Sequence, residues 1–217
     1  MTANRTEKPL SAAIAGRRAT SSFDGNPMPS EDLKAILDAG LRAPSGYNLQ
    51  PWRFVVVRGA EQKRRLRAAS YNQAKVEEAS AVVVACGDAD GWRNGDLDEM
   101  LRMGREGGMP ENYAEQAKST IPEYLSDHPN LPMWLNRQVM IAFTSMMMMA
   151  EVLGYDTAPM EGFEEDRVRE VLRLPLSYTV VALLALGRAK GPEKFSGGRF
   201  SMAHTVFGEE YGKQIKL

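Results

Sequence analysis

APSGYNLQPWRFVVVR, from Ala43 to Arg58, decides how the rest of the chain is read. Proline, serine, glycine and asparagine are loop formers, and here they stand directly before an amide, a second proline, a tryptophan and a run of β-branched residues. A residue preceding proline is pushed out of the helical region, so a helix arriving from the N-terminal side stops at Pro44. Trp52 to Arg58 then reads as a strand approached through Pro51. Folding alone does not account for so many amide and hydroxyl groups between apolar neighbours; the corner is suited to hold something polar and flat.

Outward from this corner, Ser30 is expected to cap the preceding helix, with Glu31 and Asp32 in its first turn and Leu33, Ile36, Leu37 and Leu41 at helical spacing. Further upstream a short helical segment ends near Arg17 and Arg18, and RRATSSFDGNPMP reads as an extended stretch and a turn. Downstream come a basic, exposed helix (AEQKRRLRAAS), then NQAKVEEAS leading into a buried strand, AVVVACG. From Asp88 to about Pro132 the chain turns polar and rich in Gly, Met and charge, with helix signals at NYAEQAKS and IPEYLSD. That is too long for a connector between two core elements, so a single domain over 1–217 with a helical lid inserted at about 90–132 is expected. Met133 to Leu153 is apolar around most of its circumference, which predicts a central helix or one covered partly by a second subunit. Gly154 ends it, YDTAPMEGF follows, FEEDRVREVLRL is an amphipathic helix, and YTVVALLALG is a long apolar strand. The last stretch, Arg188 to Leu217, could bury little core of its own and reads as an arm that packs on something else.

Composition narrows the function. The 217 residues are 43% hydrophobic, enough for a sizeable core. Lys and Arg number 27 against 28 Asp and Glu, so the net charge of −1 gives no basis for unspecific binding to nucleic acid or an anionic membrane. The lone Cys86 excludes an internal disulfide and, in AVVVAC, reads as a buried strand thiol. MTANRTEKPLSAA lacks the pattern of a secretory signal, which makes the cytoplasm the expected location. Val139 to Leu153 is shorter than the ~20 residues that span a bilayer and contains Glu151.

Two histidines, His128 and His204, and one cysteine cannot build a closed zinc site, and the carboxylates show no metal spacing. GxSxG, GxxxxGK[ST] and GxGxxG are all missing. Hard chemistry would have to come from a cofactor. Arg17 and Arg18, followed by small hydroxyl residues, could hold a phosphate, as could Arg199 in SGGRFS, although each taken alone is equally a helix end or a turn.

RRATSSF, APSGYNLQPW, NQAK before an apolar strand, APMEGF after the central helix, and ALGR followed by an arginine near the C-terminus resemble, in order and spacing, the FMN-dependent nitroreductase family. The resemblance covers nearly the whole chain. It implies an α+β fold with a mixed sheet sandwiched by helices, an intertwined homodimer with exchanged C-terminal arms, and FMN bound at the subunit interface. It further implies an enzyme that passes hydride from NAD(P)H through flavin N5 to nitroaromatic or quinone-like acceptors in ping-pong fashion. By the same resemblance Pro44, Ser45, Gly46 and Asn48 contact the flavin held mainly by the other subunit, with Gln50 supporting the loop. Arg17 and Arg199 bind the FMN phosphate, with Arg18, Ala19 and Ser21 continuing the first segment.

Amides both donate and accept, as the pyrimidine edge of a flavin requires, so Asn48 and Asn72 suit it, with Gln73 behind them. Asn48 alone is an ordinary turn cap. Lys75 matches a position near N1 and the C2 carbonyl, where a cation favours the negative charge that develops on reduction; in isolation it is a surface lysine at a helix start. Glu161 and Gly162 match the segment whose backbone lies over N5, and glycine permits that approach. The family's usual RRSxR is RRATS here, so Ala19 removes a hydroxyl and Ser21 replaces a basic residue. A dehalogenase or enone reductase of the same family, compatible with PSG in the corner, and a noncatalytic FMN-binding dimer are the alternatives; APMEGF leans toward the ordinary nitroreductases. No protein acid, nucleophile or metal is assigned.

Overall fold

The computed structural model describes residues 7–192 and 197–216. It opens with α1 (Leu10–Gly16) and an extended strap that leads to α2 (Ser30–Leu41). Helix α2 stops before Pro44, a 3-10 turn occupies Gly46–Asn48, and β1 (Trp52–Val57) follows, as the corner sequence predicts. Ser30 is the first residue of α2 and makes no cap; its hydroxyl instead accepts from Arg58 Nη1 at 3.1 Å. Then come α3 (Ala60–Ala68), α4 (Ala74–Glu78), β2 (Ala81–Asp88), α5 (Asp96–Glu106), α6 (Glu111–Ser126), α7 (Leu131–Val152), β3 (Asp156–Met160), α8 (Glu165–Leu172), β4 (Tyr178–Gly187) and the short α9 (Met202–Thr205).

The strands lie in the order β1-β2-β4-β3 and all neighbours pair antiparallel. A parallel bridge from Ala19 to Thr157 adds the strap to the β3 edge. Strand β2 is buried at all eight positions because both faces of the sheet are covered, so the alternation of a half-exposed strand is lost. Val83 and Ala85 pack with α2 and α7 residues such as Ile36, Phe143 and Met146, while Val82, Val84 and Cys86 pack with Leu66, Val76 and Val168 from α3, α4 and α8. The expected layered α+β sandwich is what forms, but the mixed character expected of its sheet is confined to the Ala19–Thr157 bridge, the four strands being antiparallel to one another.

Helix α7 is the central element, capped by Asn130, whose side chain accepts from Met133 N at 3.1 Å. Its buried side includes Leu135, Val139, Ala142, Phe143, Met146 and Ala150. Burial is not complete around the circumference: Met133, Arg137, Ile141 and Thr144 form an exposed stripe at helical spacing.

The two helix signals read at NYAEQAKS and IPEYLSD belong to one helix, α6, which carries Pro122 within it. With α5 it packs a third apolar cluster around Leu101, Ile121, Leu125, Trp134 and Leu135. Arg53 ties this excursion to the sheet, its Nη2 lying 2.8 Å from Asp96 and 3.2 Å from Asp88. Burial works against the Arg53 charge, but the bonds to Asp96 and the two carboxylates outweigh it and raise its pKa.

Strand β3 is an element that the periodicity of YDTAPMEGF does not announce. Its five residues include Pro159, which an edge strand tolerates because a missing N–H there costs no ladder bond.

Candidate functional site

Two corners of the chain are held in an unusual backbone conformation. Seven non-glycine residues among those described have positive φ, and five of them are Tyr47, Asn48, Gln50, Tyr71 and Asn72. Each such residue costs about 1–2 kcal/mol against an ordinary conformation, so their concentration in two short stretches marks places where side-chain direction outranks local stability.

The first corner is anchored on α7. Gly46 N donates to Gln138 Oε1 at 2.8 Å, and Gln138 Nε2 donates to Trp134 O at 3.3 Å. A Cβ on Gly46 would lie 3.0 Å from the Trp134 ring, so this glycine lets the loop press against the helix. Ser45 closes the turn twice, its carbonyl accepting from Asn48 N at 3.0 Å and its hydroxyl from Gln50 N at 2.9 Å. Gln50 Nε2 reaches Asn48 O at 3.4 Å, the loop-supporting contact expected of it. Pro44 and the Asn48 side chain face outward. The α5 helix borders the corner across a cleft of about 150 Å³ lined by Asn48, Gln50, Asp96 and Met100, and Tyr47 meets Tyr124 of α6 edge to face at 5.5 Å.

The second corner joins two of the sequence-selected segments. Arg67 holds Asn72 from both sides: Arg67 Nε donates to Asn72 O at 3.2 Å, and Asn72 N donates to Arg67 O at 3.1 Å. The same guanidinium pairs with Glu77 of α4 at 2.9 Å, which fixes the helix that carries Lys75. The Lys75 side chain is half-buried and has no ion-pair partner among the described residues. Gln73, expected behind Asn48 and Asn72 on a flavin edge, spends its amide elsewhere, donating from Nε2 to Gly162 O at 2.8 Å. That bond brings Asn72 and Lys75 beside Glu161 and Gly162. Tyr71, largely exposed, leans over the same glycine, with Cδ2 3.7 Å from where a Cβ would sit.

The strap supplies a third group. Ala19 and Thr20 are tied to the start of β3, Thr20 N donating to Thr157 O at 2.9 Å. Arg17 caps α1 through its backbone N–H on Ala13 O, while its Nη1 is buried with no hydrogen-bond partner among the described residues. Arg18 is exposed and turned back on the Ala15 and Arg17 carbonyls, and Ser21 is exposed. Four buried side-chain polar atoms among the described residues lack a partner; three of them, on Arg17, Thr157 and Ser70, border the strap and the second corner. Buried polar groups are normally satisfied, and of these four atoms the Arg17 nitrogen is the one that carries charge.

Other selected residues stay apart within one chain. The 44–50 corner adjoins β1, at the sheet edge opposite β3, and its contacts run to α7. Arg199 is exposed on the arm, its Nη1 on Gly198 O; the arm folds on itself, with Phe200 stacked on His204 at 4.5 Å and Phe207 bridged to Gln214. Residues 193–196 of that arm lie outside the described residues. Cys86 is fully buried and its thiol is pushed up to about 12 by burial, which excludes it as a nucleophile at neutral pH. No group of three metal-ligating side chains occurs among the described residues, and no helix among them is long and apolar enough to cross a membrane.

A helix-sandwiched antiparallel sheet, with the Arg17 guanidinium on a strap at one edge and amide-rich, left-handed corners, is an α+β arrangement suited to a polar ligand. Comparison with known proteins makes that specific. A profile of the nitroreductase family matches residues 14–188. A protein of Thermus thermophilus named NADH dehydrogenase is 37% identical over 175 residues, 81% of this chain and 84% of that protein. Protein DrgA of a Synechocystis species is 29% identical over 178 residues, 81% of this chain and 82% of its own length. Among solved structures, a nitroreductase-like protein of Streptococcus mutans superposes with a TM-score of 0.82 at 28% identity, covering 91% of this chain and 97% of that one. A protein of Exiguobacterium sibiricum solved in complex with FMN gives 0.83 at 27% identity, over 93% and 98%. The chain belongs to the nitroreductase family.

The sequence did not reveal Arg67, Gln138 or the Gln73–Gly162 bond. Their partners lie five to 92 residues away in the chain, and the two longer ties are tertiary contacts without a local pattern. Tyr71 had one legible sign, an aromatic directly before the selected Asn72.

Proposed function

We propose that this chain is an FMN-dependent oxidoreductase that moves hydride from NAD(P)H to nitroaromatic or quinone-like acceptors in two half-reactions at one site. The observation that carries the reading is Arg17: a buried, unpartnered guanidinium nitrogen beside a strap tied to the sheet edge is suited to a phosphate. FMN, when bound, supplies the two-electron chemistry. The chain's own residues bind, orient and set charge. Arg17, with Arg18 and the partner copy's arm as further sources of cations, would hold the phosphate. Asn72 offers both a donor and an acceptor to a heterocycle edge, and Lys75 places an uncompensated positive charge next to it. Glu161 and Gly162 offer backbone N–H groups where glycine lets a ring approach.

Two copies of the chain would complete the site. The corner from Pro44 to Asn48 and the strap sit at opposite sheet edges, and large apolar side chains are left exposed on several elements, Ile14 of α1, Leu41 of α2, Met133 and Ile141 of α7, and Phe200 of the arm, which a partner would cover. The excursion over 90–132 then serves as the wall of the acceptor pocket. A cytoplasmic setting suits the free thiol.

The test is turnover. The purified protein with FMN should oxidise NADH or NADPH only when a nitroaromatic or menadione is added, with parallel lines in double-reciprocal plots. Preference for a halotyrosine or an enone would move it to the dehalogenase or enone-reductase reading. Bound flavin without turnover on any acceptor would make it a noncatalytic binder.

A further inference from the structure

The bond between Gln73 and Gly162 leaves a specific pattern of free backbone groups. Gln73 heads α4 through its backbone, its carbonyl accepting from Val76 N at 3.1 Å, so its side chain is held at a fixed root. The atom facing Gly162 O must be the amide nitrogen, because a carbonyl can only accept. Gly162 makes the contact possible: a Cβ there would come within 3.1 Å of Gln73 Nε2. The same peptide is fixed at its other end, Phe163 N donating to Glu161 O at 3.1 Å, and Glu164 N is docked on Ala69 O at 2.9 Å. The carbonyl and N–H of the Gly162–Phe163 peptide are thus both engaged, while the N–H groups of Glu161 and Gly162 have no partner among the described residues.

We propose that Gln73 is a positioning residue that, by holding the Gly162 carbonyl, keeps the Glu161–Phe163 backbone in the state that presents N–H donors, and not a carbonyl, to the reacting edge of FMN. The proposal rests on the FMN reading above. Oxidised flavin has an acceptor at N5 and reduced flavin carries an N–H there, so the two redox forms want opposite partners. Glycine has no Cβ to resist rotation of its peptide. Gln73 is therefore what biases the turn toward donation, and hence toward the oxidised form. Arg67 and Glu77 set the base on which Gln73 stands, and of these three it is Gln73 that hydrogen-bonds to the turn.

Dissociation constants for oxidised and reduced FMN, obtained from fluorescence quenching and from the midpoint potential of the bound flavin, test this. Gln73→Leu should weaken oxidised FMN relative to reduced FMN by roughly tenfold, about 30 mV upward for a two-electron couple. Gln73→Glu keeps the shape and restores a donor only when protonated, so its offset from wild type should shrink as pH falls through the carboxyl range. An unchanged ratio in Gln73→Leu, or a Gln73→Glu offset that does not depend on pH, overturns the proposal. Should Gln73→Leu fail to fold, the pH dependence of Gln73→Glu decides alone. Wild-type protein that binds no FMN would sink the underlying functional reading instead, a result distinct from either.

Discussion

Arg17 carries the strongest single-residue expectation. Charge-assisted hydrogen bonds contribute about 1.5–3 kcal/mol, and about 1.4 kcal/mol is a factor of ten in affinity. Arg17→Met should therefore weaken FMN binding roughly 10- to 100-fold in a fluorescence titration. Because Nη1 has no hydrogen-bond partner among the described residues, urea unfolding of the FMN-free protein should change by less than about 1 kcal/mol. An equal loss of stability and affinity would mean that the guanidinium serves the fold. Cys86 makes the opposite case, a residue with reactive chemistry that the fold silences. Its thiol sits near 9.0 unfolded and about 12 folded, raised by burial. Between those values the folded state keeps a proton that the unfolded state releases, so this group lowers stability as pH rises above 9.0. A thiol reagent at pH 8 should label Cys86 only after denaturant is added; rapid labelling of native protein would contradict its burial.

At the scale of elements, the excursion depends on its root. Arg53 joins β1 to Asp96 at the start of α5 and to Asp88 at the end of β2, and Asp88 is buried. Removing the cation leaves two carboxylates facing one another. The usual cost of breaking a buried pair is about 3–5 kcal/mol, and the partial exposure of Arg53 places Arg53→Met below that range, at about 2 kcal/mol. Hydrogen exchange should show the loss concentrated in α5 and α6, with the central strands unaffected; uniform loss would mean that the excursion is not a separate unit. The elements also show what a sequence can say about this fold. Strands β2 and β4 were legible because two-sided burial writes a continuous apolar run, β1 from its β-branched run entered through Pro51, α2 and α8 from their periodicity, and α7 from its length and nearly unbroken apolar character. Strand β3 is short, lies at an edge and contains Pro159, so neither run length nor composition marks it. Helix α5 buries Leu97, Met100 and Leu101 inside a stretch whose charge hides them. Within the candidate site, the polar residue types at the corners were readable; the contacts that aim them, Gln138 on Gly46 and Gln73 on Gly162, join segments 92 and 89 residues apart.

For the whole molecule, the exposed Met133 and Ile141 of α7 and the placement of the strap and the Pro44–Asn48 corner at opposite sheet edges are what the proposed site shared between copies rests on. Ile141 is 41% exposed and Ile14 60%, values that a partner surface would explain. Mixed dimers test this directly. Arg17→Met disables the strap and Asn48→Asp disables the corner while keeping a residue type that tolerates the left-handed backbone there. Each variant alone should bind FMN weakly. If the site is built in trans, a heterodimer of the two, isolated through different tags, contains one doubly altered site and one intact site. It should bind one FMN per two chains with wild-type affinity and bleach that flavin on anaerobic addition of NADPH or NADH. Two equally weak sites in the heterodimer, or a protein that stays monomeric at the concentrations used, would contradict the account.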